Sequence, residues 1–501
     1  MTEAVRPLET AAHPQGLRRV VIEPVSRVEG HGKVTLLLDE DNRIEQVRLH
    51  IVEFRGFEQF IVGRPYWEVP VMVQRLCGIC PVSHHLAASK ALDLIVGASK
   101  VTPTADKMRR LMHYGQILQS HALHFFHLSS PDLLFGFDAD VAQRNIVGVA
   151  MAHPEAARQG VMLRKFGQEV IRITAGKRVH GTGSVPGGMN RAVDPAERDV
   201  LRAQLPQVLA WAEAAVDLAQ RLHTGLPTHL VGFAETPAAM MSLVGPGGAM
   251  EFYDGTLRVR EADGRIAVDG FEDQRYRELI GEGVKPWTYM KFPYRLTLGP
   301  DAGWYRVGPL ARLQNCDFIP TPRAEARRQA FVAAHGGRPV HAVLATHWAR
   351  MIEMLHGVEV IAQLLDDPAT VCAYAFDLGA AVQRATQALQ DNETFRFTGV
   401  QLGWIGFGAP PFACSVPTPP EHFEKPEPGK LVLFPSYMWH GTVPFGGEAS
   451  RMSLAFDVLP DAQPRRGMRN GSIRRTSGLD SRWQSRVSCT MVSDRSAMTV
   501  S

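Results

Sequence analysis

Two cysteines, Cys77 and Cys80, lie three positions apart in the stretch Gln74–His85. Arg75 precedes the pair, and Pro81 follows it at a position suited to the first turn of a helix. A positive helix end and a guanidinium both lower the pKa of nearby thiols and so favour thiolates. Thiolates at this spacing can chelate one soft or borderline metal ion. Metal binding is therefore the first chemistry that these residues suggest.

The C-x-x-C spacing has three other interpretations: half of a structural zinc site, a redox dithiol, or two buried cysteines. A structural zinc site needs a second ligand pair, and the remaining cysteines are isolated: Cys316, Cys372, Cys414 and Cys489. A thioredoxin-like dithiol follows a strand in a small α/β unit, and the sequence shows no such unit here. Spacing alone leaves metal binding and these alternatives open.

The composition is that of an ordinary globular protein. Its 501 residues suffice for about two or three domains, and 45% of them are hydrophobic and 21% charged. The net charge of +3 indicates neither a nucleic-acid partner nor a membrane surface. We expect no signal peptide and no spanning helix, because no apolar run approaches about eighteen residues. Six cysteines with one close pair indicate a reducing, cytoplasmic location.

The elements that must position the cysteine pair begin with a small sheet. Strands are predicted at Val20–Ile22, Lys33–Leu38 and Arg43–Val52. A helix is predicted to start just past Cys80. A short β insertion is predicted at 249–270. Further helices are predicted from Pro103 and over Asp140–Ala150, Pro154–Ala175, Pro195–Leu222, Ala324–Ala334 and Ala345–Leu365.

The pattern changes after about Asp367. Strands are predicted at Phe395–Val400, Lys430–Phe434 and Arg451–Asp457. The last segment is rich in Arg, Ser and Gly with little apolar periodicity, which predicts disorder. The predicted organisation is a flexible N-terminus at 1–17, a main domain at 18–367, a junction at 368–394, a β domain at 395–460 and a disordered basic tail at 461–501.

Several motifs in order resemble the large, catalytic subunit of nickel–iron hydrogenases, of the soluble, NAD-coupled bidirectional type. The motifs are Arg75-Leu76-Cys77-Gly78-Ile79-Cys80 with His84, Arg27-Val28-Glu29-Gly30-His31-Gly32-Lys33, Phe54-Arg55-Gly56-Phe57-Glu58, His180-Gly181 with Val185-Pro186-Gly187-Gly188, and Arg306-Val307-Gly308-Pro309-Leu310. The resemblance covers roughly residues 18–367. It implies an α+β fold with a helix-rich core and a small N-terminal sheet, and the reversible heterolytic cleavage of H2.

The resemblance also implies roles for five residues. Cys77 and Cys80 would bind nickel, and Cys80 would bridge to an iron carrying cyanide and carbon monoxide. Glu29 would pass protons from the metal-bound sulfur, and His84 would donate a hydrogen bond near the bridging sulfur. Glu58 would bind a structural Mg2+. Electrons would leave through an iron–sulfur small subunit, because this chain has no cysteine set for a cluster, and reach NAD through diaphorase subunits.

Three of these residues have a plainer interpretation. Glu29 could be a surface carboxylate at a strand end, and Glu58 could be the ion-pair partner of Arg55. A lone histidine on a helix, such as His84, is more often a hydrogen-bonded core residue than a functional one. Without the resemblance, these interpretations would be preferred.

The family closes its metal site with a second C-x-x-C inside an Asp-Pro-Cys-x-x-Cys-x-x-His stretch, and this sequence has none. Asp366-Asp367-Pro368 leads to Cys372, which has no cysteine three residues on. Nickel would thus have two thiolates where the family supplies four, and the histidine of the magnesium site is missing. We therefore expect impaired activity. The alternatives are a non-enzymatic assembly or scaffold protein that holds the iron unit, or an inactive fusion.

The segment that follows resembles the closing strands of an Fe(II)- and 2-oxoglutarate-dependent oxygenase, a partial double-stranded β-helix or jelly-roll. The resemblance is carried by Gly403–Gly408, Pro428–Thr442 and Arg451–Asp457. It implies that His440 binds iron and that Arg451 pairs with the cosubstrate carboxylate. The partner His-x-Asp is absent, and His422-Phe423-Glu424 lies too close to His440 to replace it. We therefore do not expect Fe(II) and 2-oxoglutarate to bind, and both residues are interpreted as remnants without metal.

Overall fold

A computed structural model describes residues 17–371, except Ser26, Val52, Phe54, Arg55 and Ser99, and then seven strands between residues 396 and 492. The chain divides into two compact units, Met1–Ala385 and Thr386–Ser501. Most of the predicted flexible N-terminus and of the junction lies outside the described residues. Those two assignments therefore stay predictions.

A three-stranded antiparallel sheet opens the first unit, as predicted. Its strands, Arg18–Ile22, Gly32–Leu38 and Ile44–Ile51, pair in chain order. The turn between the last two is closed by the Asp39 carboxylate, which accepts the backbone N–H of Asp41 and of Arg43. The loop between the first two strands carries the motif that contains Glu29.

The rest of the first unit is mainly helical, which confirms the predicted helix-rich core. Proline takes the first position of five of the six long helices, where its fixed φ suits the first turn. The long helices are Pro81–Ile95, Pro103–Leu123, Pro154–Ala175, Pro195–Thr224, Pro322–Ala334 and Thr346–Asp366. The short ones are Phe57–Phe60, Val69–Met72, Ser130–Phe135, Ile146–Ala152, Thr228–Val231, Tyr276–Leu279, Gly299–Ala302 and Pro309–Asn315, with a π-helical segment at His124–Ser129.

The helix Pro103–Leu123, here called the central helix, lies in the middle of the core. It packs against Pro154–Ala175 and Thr346–Asp366. A Cβ at Gly115 would lie 2.8 Å from Val170 Cγ1. Glycine at this position therefore allows the central helix and the helix Pro154–Ala175 to approach closely. Other buried side chains of the central helix contact the cysteine loop.

One predicted helix starts in the wrong place. The sequence predicted Asp140–Ala150, but the structure has a helix over Ile146–Ala152. The side chain of Asn145 accepts the backbone N–H groups of Val147 and Gly148 and so sets the start of the helix. Asp140 instead closes a turn before it, where its carboxylate accepts the N–H of Ala142.

A four-stranded sheet contains the predicted β insertion. Its strand order is Tyr305–Arg306, Ala239–Val244, Thr256–Arg260 and Ile266–Glu272. The strand Ala239–Val244 was not predicted from the sequence, because it is buried on both faces and shows no alternation. The remaining short strands of the unit pair as Ser184–Val185 with Gly188–Met189 and as Ile280–Gly283 with Phe292–Arg295.

The described strands of the second unit form three small antiparallel sheets. Arg396–Phe397 pairs with Cys414–Ser415, Ile405–Phe407 lies between His422–Glu424 and His440–Thr442, and Ser453–Pro460 pairs with Ser485–Val492. The predicted strand at Lys430–Phe434 lies outside the described residues, so the jelly-roll stays a prediction. The strand Ser485–Val492 lies in the segment for which disorder was predicted, and its sequence alternates Val487, Cys489 and Met491 with polar residues.

Among the described residues, no helix combines the length and the apolar character that a membrane span requires.

Candidate metal site

The two cysteines flank a tight loop at a helix start, as predicted. Cys77 has extended backbone (φ −149°, ψ 125°) after a 3-10 turn, and Cys80 immediately precedes the helix Pro81–Ile95. The structure joins the two Sγ atoms as a disulfide, with the Cα atoms 5.5 Å apart, and the Cys80 N–H donates to Cys77 Sγ at 3.1 Å. Gly78 has neither a positive φ nor a close neighbour, so the loop does not require glycine at this position.

His84 joins the cysteines in one cluster. The ligand atoms of Cys77, Cys80 and His84 all lie within 4.8 Å of one another, and the three residues are half-buried. His84 follows Cys80 by four residues and therefore lies one turn further on the same face. Burial lowers the pKa of His84, so the imidazole is neutral at pH 7, which is the form that binds metals. Within the described residues, no other group of three such side chains comes together in this way.

Glu29 reaches the cluster from the loop between the first two strands. Its Oε1 lies 3.8 Å from Cys77 Sγ, so a carboxylate is the neighbour of one of the two cysteine sulfurs. The next residue, Gly30, has φ +78°, and a Cβ there would lie 3.0 Å from Glu53 Oε1. The Glu53 carboxylate accepts the His31 N–H, which lowers the pKa of Glu53. A larger residue at position 30 would therefore displace the backbone that carries Glu29.

Arg27 anchors the same loop on its other side. Its guanidinium donates to the Leu128 carbonyl at 3.1 Å and to Asp132 at 2.8 Å. Arg27 has a positive φ of 56°, which is uncommon for a residue other than glycine. The pairing with Asp132 holds the backbone in that conformation.

A cavity of about 250 Å³ lies beside Arg27. It is lined partly by apolar side chains and partly by polar ones, among them His124, Asp132 and His347. Burial, with Arg350 nearby, lowers the pKa of His124 to about 3 and that of His347 to about 4, so both imidazoles are neutral at pH 7. The cavity can therefore hold water in contact with hydrogen-bonding groups.

The cysteine loop is held by glutamines that the sequence motifs do not single out. The Ile79 carbonyl, between the two cysteines, accepts from Gln116 Nε2 at 3.0 Å and from Gln119 Nε2 at 2.8 Å, both on the central helix. Gln74 Nε2, just before the loop, donates to the Gly181 carbonyl at 2.9 Å. The signal in the sequence is a pair of amides three positions apart in a predicted helix.

His85, next to His84, is a structural histidine. Its Nδ1 donates to the Pro70 carbonyl at 2.9 Å, and its Nε2 accepts the Ser184 N–H at 3.0 Å. Burial lowers the pKa of His85 to about 4, which keeps the ring neutral and this tautomer in place. It ties the helix that follows the cysteines to the loop at 181–184.

A buried ion pair fixes the neighbouring loop. Asp93 accepts from Arg109 at 2.5 and 3.2 Å and from the Gly187 N–H at 2.6 Å. Arg109 also donates to the Val185 carbonyl at 2.7 Å. The motif Val185-Pro186-Gly187-Gly188 therefore contributes backbone groups that hold the loop, and no side chain to the cluster.

Two of the other three predicted site residues, Glu58 and His440, lie in described elements. Glu58 is exposed in the first turn of Phe57–Phe60, and among the described residues it belongs to no group of three possible metal ligands. His440 begins a strand in which it lies opposite Phe407, and His422 lies opposite Phe407 on the other side. Arg451 lies outside the described residues.

The cluster offers donor atoms that suit a thiophilic metal ion. Two sulfurs and an imidazole converge, and all are ligands that nickel, iron and zinc accept. Cys316, the one other cysteine whose side chain is described, is buried and donates to the Leu313 carbonyl. Burial raises the pKa of Cys316 to about 12, so it stays a thiol. Within the described residues, this chain thus supplies two thiolates.

Three family models match separate parts of the chain. A model described as HoxL-like matches residues 19–54, and a nickel-dependent hydrogenase model matches residues 55–153. A 2OG-Fe(II) oxygenase model matches residues 383–457. Each resemblance noted in the sequence is therefore found again by an independent comparison.

Curated relatives cover the first part of the chain. The NAD-reducing hydrogenase HoxS subunit beta of Cupriavidus necator is 46% identical over 362 residues, which are 70% of this chain and 74% of the relative. A vhu-type subunit of the F420-non-reducing hydrogenase of Methanocaldococcus jannaschii is 44% identical over 70% of this chain and 82% of its own length.

Solved hydrogenase structures also resemble this chain. An NAD+-reducing [NiFe]-hydrogenase in the H2-reduced state superposes with a TM-score of 0.69 and 57% identity over 70% of this chain and 78% of that one. A [NiFeSe]-hydrogenase of Dm. baculatum, at 22% identity over 70% of this chain and 79% of that one, shares the fold with a TM-score of 0.55.

Proposed function

Because the chain belongs to the nickel-dependent hydrogenase family, as a relative of its large subunits, we propose that it activates H2 within a multi-subunit hydrogenase. The observation that carries the proposal is the 3.8 Å distance between Glu29 Oε1 and Cys77 Sγ. Cys77 and Cys80 would hold the nickel of the family's Ni–Fe centre, whose iron carries cyanide and carbon monoxide. When bound, such a centre makes dihydrogen acidic enough to give a proton to a nearby base.

The protein's own contribution is the removal of that proton. In the reduced chain, in which Cys77 is a thiolate, its sulfur would take the proton first, and the neighbouring Glu29 carboxylate would accept it at Oε1. Because Glu29 is exposed, it can then release the proton to solvent. Arg27 and Gly30 keep the carboxylate in reach by fixing the loop on both sides of it.

The proposed partner subunits are supported by the relatives and by the small number of cysteines, which provide no set for an iron–sulfur cluster in this chain. We place the chain in the cytoplasm, beside an iron–sulfur small subunit that takes the electrons and diaphorase subunits that pass them to NAD. The name of the Cupriavidus necator relative, an NAD-reducing hydrogenase subunit, supports this acceptor. Glu58 is proposed as one oxygen ligand of a Mg2+.

The missing second C-x-x-C favours a second candidate function. With two thiolates the chain would turn over H2 more slowly than its relatives, or it would hold the metal as an assembly protein without turnover. The cluster of Cys77, Cys80 and His84 supports either role, because both need a bound metal.

The test is isotope exchange between D2 and H2O, measured by mass spectrometry on the chain co-purified with its small subunit. We expect exchange above that of a Cys77→Ala/Cys80→Ala variant, and about a 100-fold loss in Glu29→Gln. Glu45→Gln, an exposed carboxylate on the third strand, is the matched control and should keep full exchange. Wild-type exchange no higher than that of the cysteine variant would leave the assembly role and reject hydrogen activation.

A further inference from the structure

Two histidines outside the candidate metal site face each other at the ends of two long helices. His223 lies in the last turn of Pro195–Thr224, and His335 directly follows Pro322–Ala334. Their Nε2 atoms are 3.2 Å apart. We propose that this pair is a separate site for one late first-row divalent ion such as Zn2+, which joins the ends of the two helices. The site shares no residue with the proposed function.

The distance between the two nitrogens suits a shared ion. Metal–nitrogen bonds of about 2.0–2.1 Å at a tetrahedral angle place two imidazole nitrogens about 3.3 Å apart. The observed separation of 3.2 Å is close to that spacing, so small rotations of the rings suffice to direct both Nε2 lone pairs at one ion. Among the described residues no third histidine, cysteine or carboxylate joins the pair, so water completes the coordination.

The hydrogen bond on the far side of His335 prepares its ring for metal binding. Its Nδ1 lies 2.8 Å from the Phe331 carbonyl oxygen, which can only accept, so Nδ1 carries the proton. In the neutral ring, Nε2 then has a free lone pair on the side of His223. Histidines that bind metals typically donate their other ring N–H to a carbonyl in this way, which fixes the tautomer and the orientation of the ring.

Aromatic packing holds the two rings in place. Trp348 is fully buried and lies against both, with ring centroids 5.6 Å from His223 and 5.9 Å from His335. The Phe331 ring lies 4.5 Å from that of His335. An ion would thus bind to side chains that are already ordered, which reduces the entropic cost of binding. Both histidines are half-buried, so an ion can reach them from solvent.

The position of the pair at two helix C-termini favours a cation. The negative end of a helix macrodipole is its C-terminus, so both helices contribute partial negative charge near the imidazoles. The donor type then selects the ion. Neutral imidazoles suit nickel, copper and zinc, whereas Mg2+ and Ca2+ prefer oxygen ligands.

The test is the binding of Zn2+ to the full chain with the cysteine pair removed. In Cys77→Ala/Cys80→Ala, no ion can bind to the cysteine sulfurs, so a retained ion reports on another site. We expect one Zn2+ per chain and an X-ray absorption spectrum with two imidazole nitrogens at about 2.0 Å, oxygen and no sulfur. The urea midpoint of this variant should rise with Zn2+ concentration, because the ion binds the folded chain.

Variants of the pair identify the ligands. In the same cysteine-free-loop background, His223→Ala should lower the affinity for Zn2+ by at least about 10-fold and make the urea midpoint independent of Zn2+. His223→Cys should restore binding and add one sulfur at about 2.3 Å, which an incorrectly folded chain would not do. His229→Ala, which changes an exposed histidine on the short helix Thr228–Val231, is the matched control and should bind Zn2+ as its parent does.

Three results would overturn the inference: no Zn2+ retained by the cysteine variant, a spectrum with fewer than two imidazoles, or equal Zn2+ affinity with and without His223. The pair would then be an N–H···N hydrogen bond between two neutral rings and nothing more. None of these results depends on H2. Isotope exchange in the wild type without Zn2+ at the pair would reject this inference and leave the proposed function standing, and Zn2+ at the pair without exchange would do the reverse.

Discussion

The two sides of the candidate site are held in different ways. The cysteine side rests on hydrogen bonds of three buried side chains: Gln116 and Gln119 donate to the Ile79 carbonyl, and His85 donates to Pro70 and accepts from Ser184. The Glu29 side is an exposed loop held by the Arg27–Asp132 ion pair and by the fit of Gly30 against Glu53. Buried polar contacts are costly to break, whereas exposed ion pairs contribute little to stability.

Mutations on the two sides of the site should therefore affect different properties of the protein: stability and metal affinity on the cysteine side, and proton transfer on the Glu29 side. Substitutions beneath the cysteines should lower both stability and metal affinity. Substitutions that move Glu29 should change proton transfer while the fold and the metal site stay intact. The expected effects on stability therefore decrease from the buried side to the exposed one.

The largest effect is expected at the buried ion pair Asp93–Arg109. In Asp93→Ala the Arg109 guanidinium, 1% exposed, loses its carboxylate, and the free energy of unfolding should fall by about 3–5 kcal/mol. Urea denaturation followed by circular dichroism measures it. Asp254→Ala, which removes the exposed partner of Lys90, should cost no more than about 1 kcal/mol. Equal losses in both variants would contradict the idea that burial sets the cost.

Acid should weaken the cysteine side through His85. The folded pKa of His85 is about 4, below the ordinary value of 6.5, so the unfolded chain binds more protons between these values. The stability is therefore complete above about pH 6.5 and is lost as the pH falls toward 4. Several other histidines, such as His113 and His356, have folded pKa values of about 4 and add to the loss.

Replacing His85 by glutamine isolates the contribution of His85 to the pH dependence of stability. The glutamine amide can accept from Ser184 and donate to Pro70, but it does not titrate. Between pH 7 and pH 5 the wild type should lose about 1–2 kcal/mol more than His85→Gln in urea denaturation. Parallel pH profiles of the two proteins would show that His85 is not the titrating group.

The contacts that could be predicted from sequence are local ones. The spacing of Cys77, Cys80 and His84 places all three at one helix start, because positions four apart share a face. Proline at position 81 marks that start. The same local reasoning correctly predicted the N-terminal sheet and most of the long helices.

What could not be predicted depends on contacts between distant segments. Glu29 is 48 residues from Cys77, and a family resemblance alone indicated their proximity. Gln116 and Gln119 donate to the Ile79 carbonyl, and nothing in the sequence of their own helix indicates that contact. The strand Ala239–Val244 was missed because a fully buried strand has the pattern of a buried helix segment.

A smaller effect is expected from the glutamines below the cysteine loop. Gln119→Leu removes one of the two donors to the Ile79 carbonyl, so the free energy of unfolding should fall by about 1 kcal/mol. The affinity of Cys77 and Cys80 for metal should fall by about 10-fold, because the loop is held less firmly. Gln159→Leu, on an exposed helix face, is the control and should change neither. Competition with a chelator measures the affinity, and an unchanged value would mean that the loop is rigid without Gln119.

The smallest effect on stability, and the most selective one, is expected at Arg27. Arg27→Ala removes a partly exposed ion pair with Asp132, so the free energy of unfolding should fall by about 1 kcal/mol or less. The affinity of Cys77 and Cys80 for metal should stay the same, because the cysteine loop keeps all its contacts. Isotope exchange should fall by about 10-fold, since the loop then holds Glu29 less firmly beside Cys77. Arg158→Ala, which breaks another exposed pair, should leave exchange unchanged. If metal affinity fell together with exchange in Arg27→Ala, the two sides of the site would be mechanically coupled, and the separation between them would be wrong.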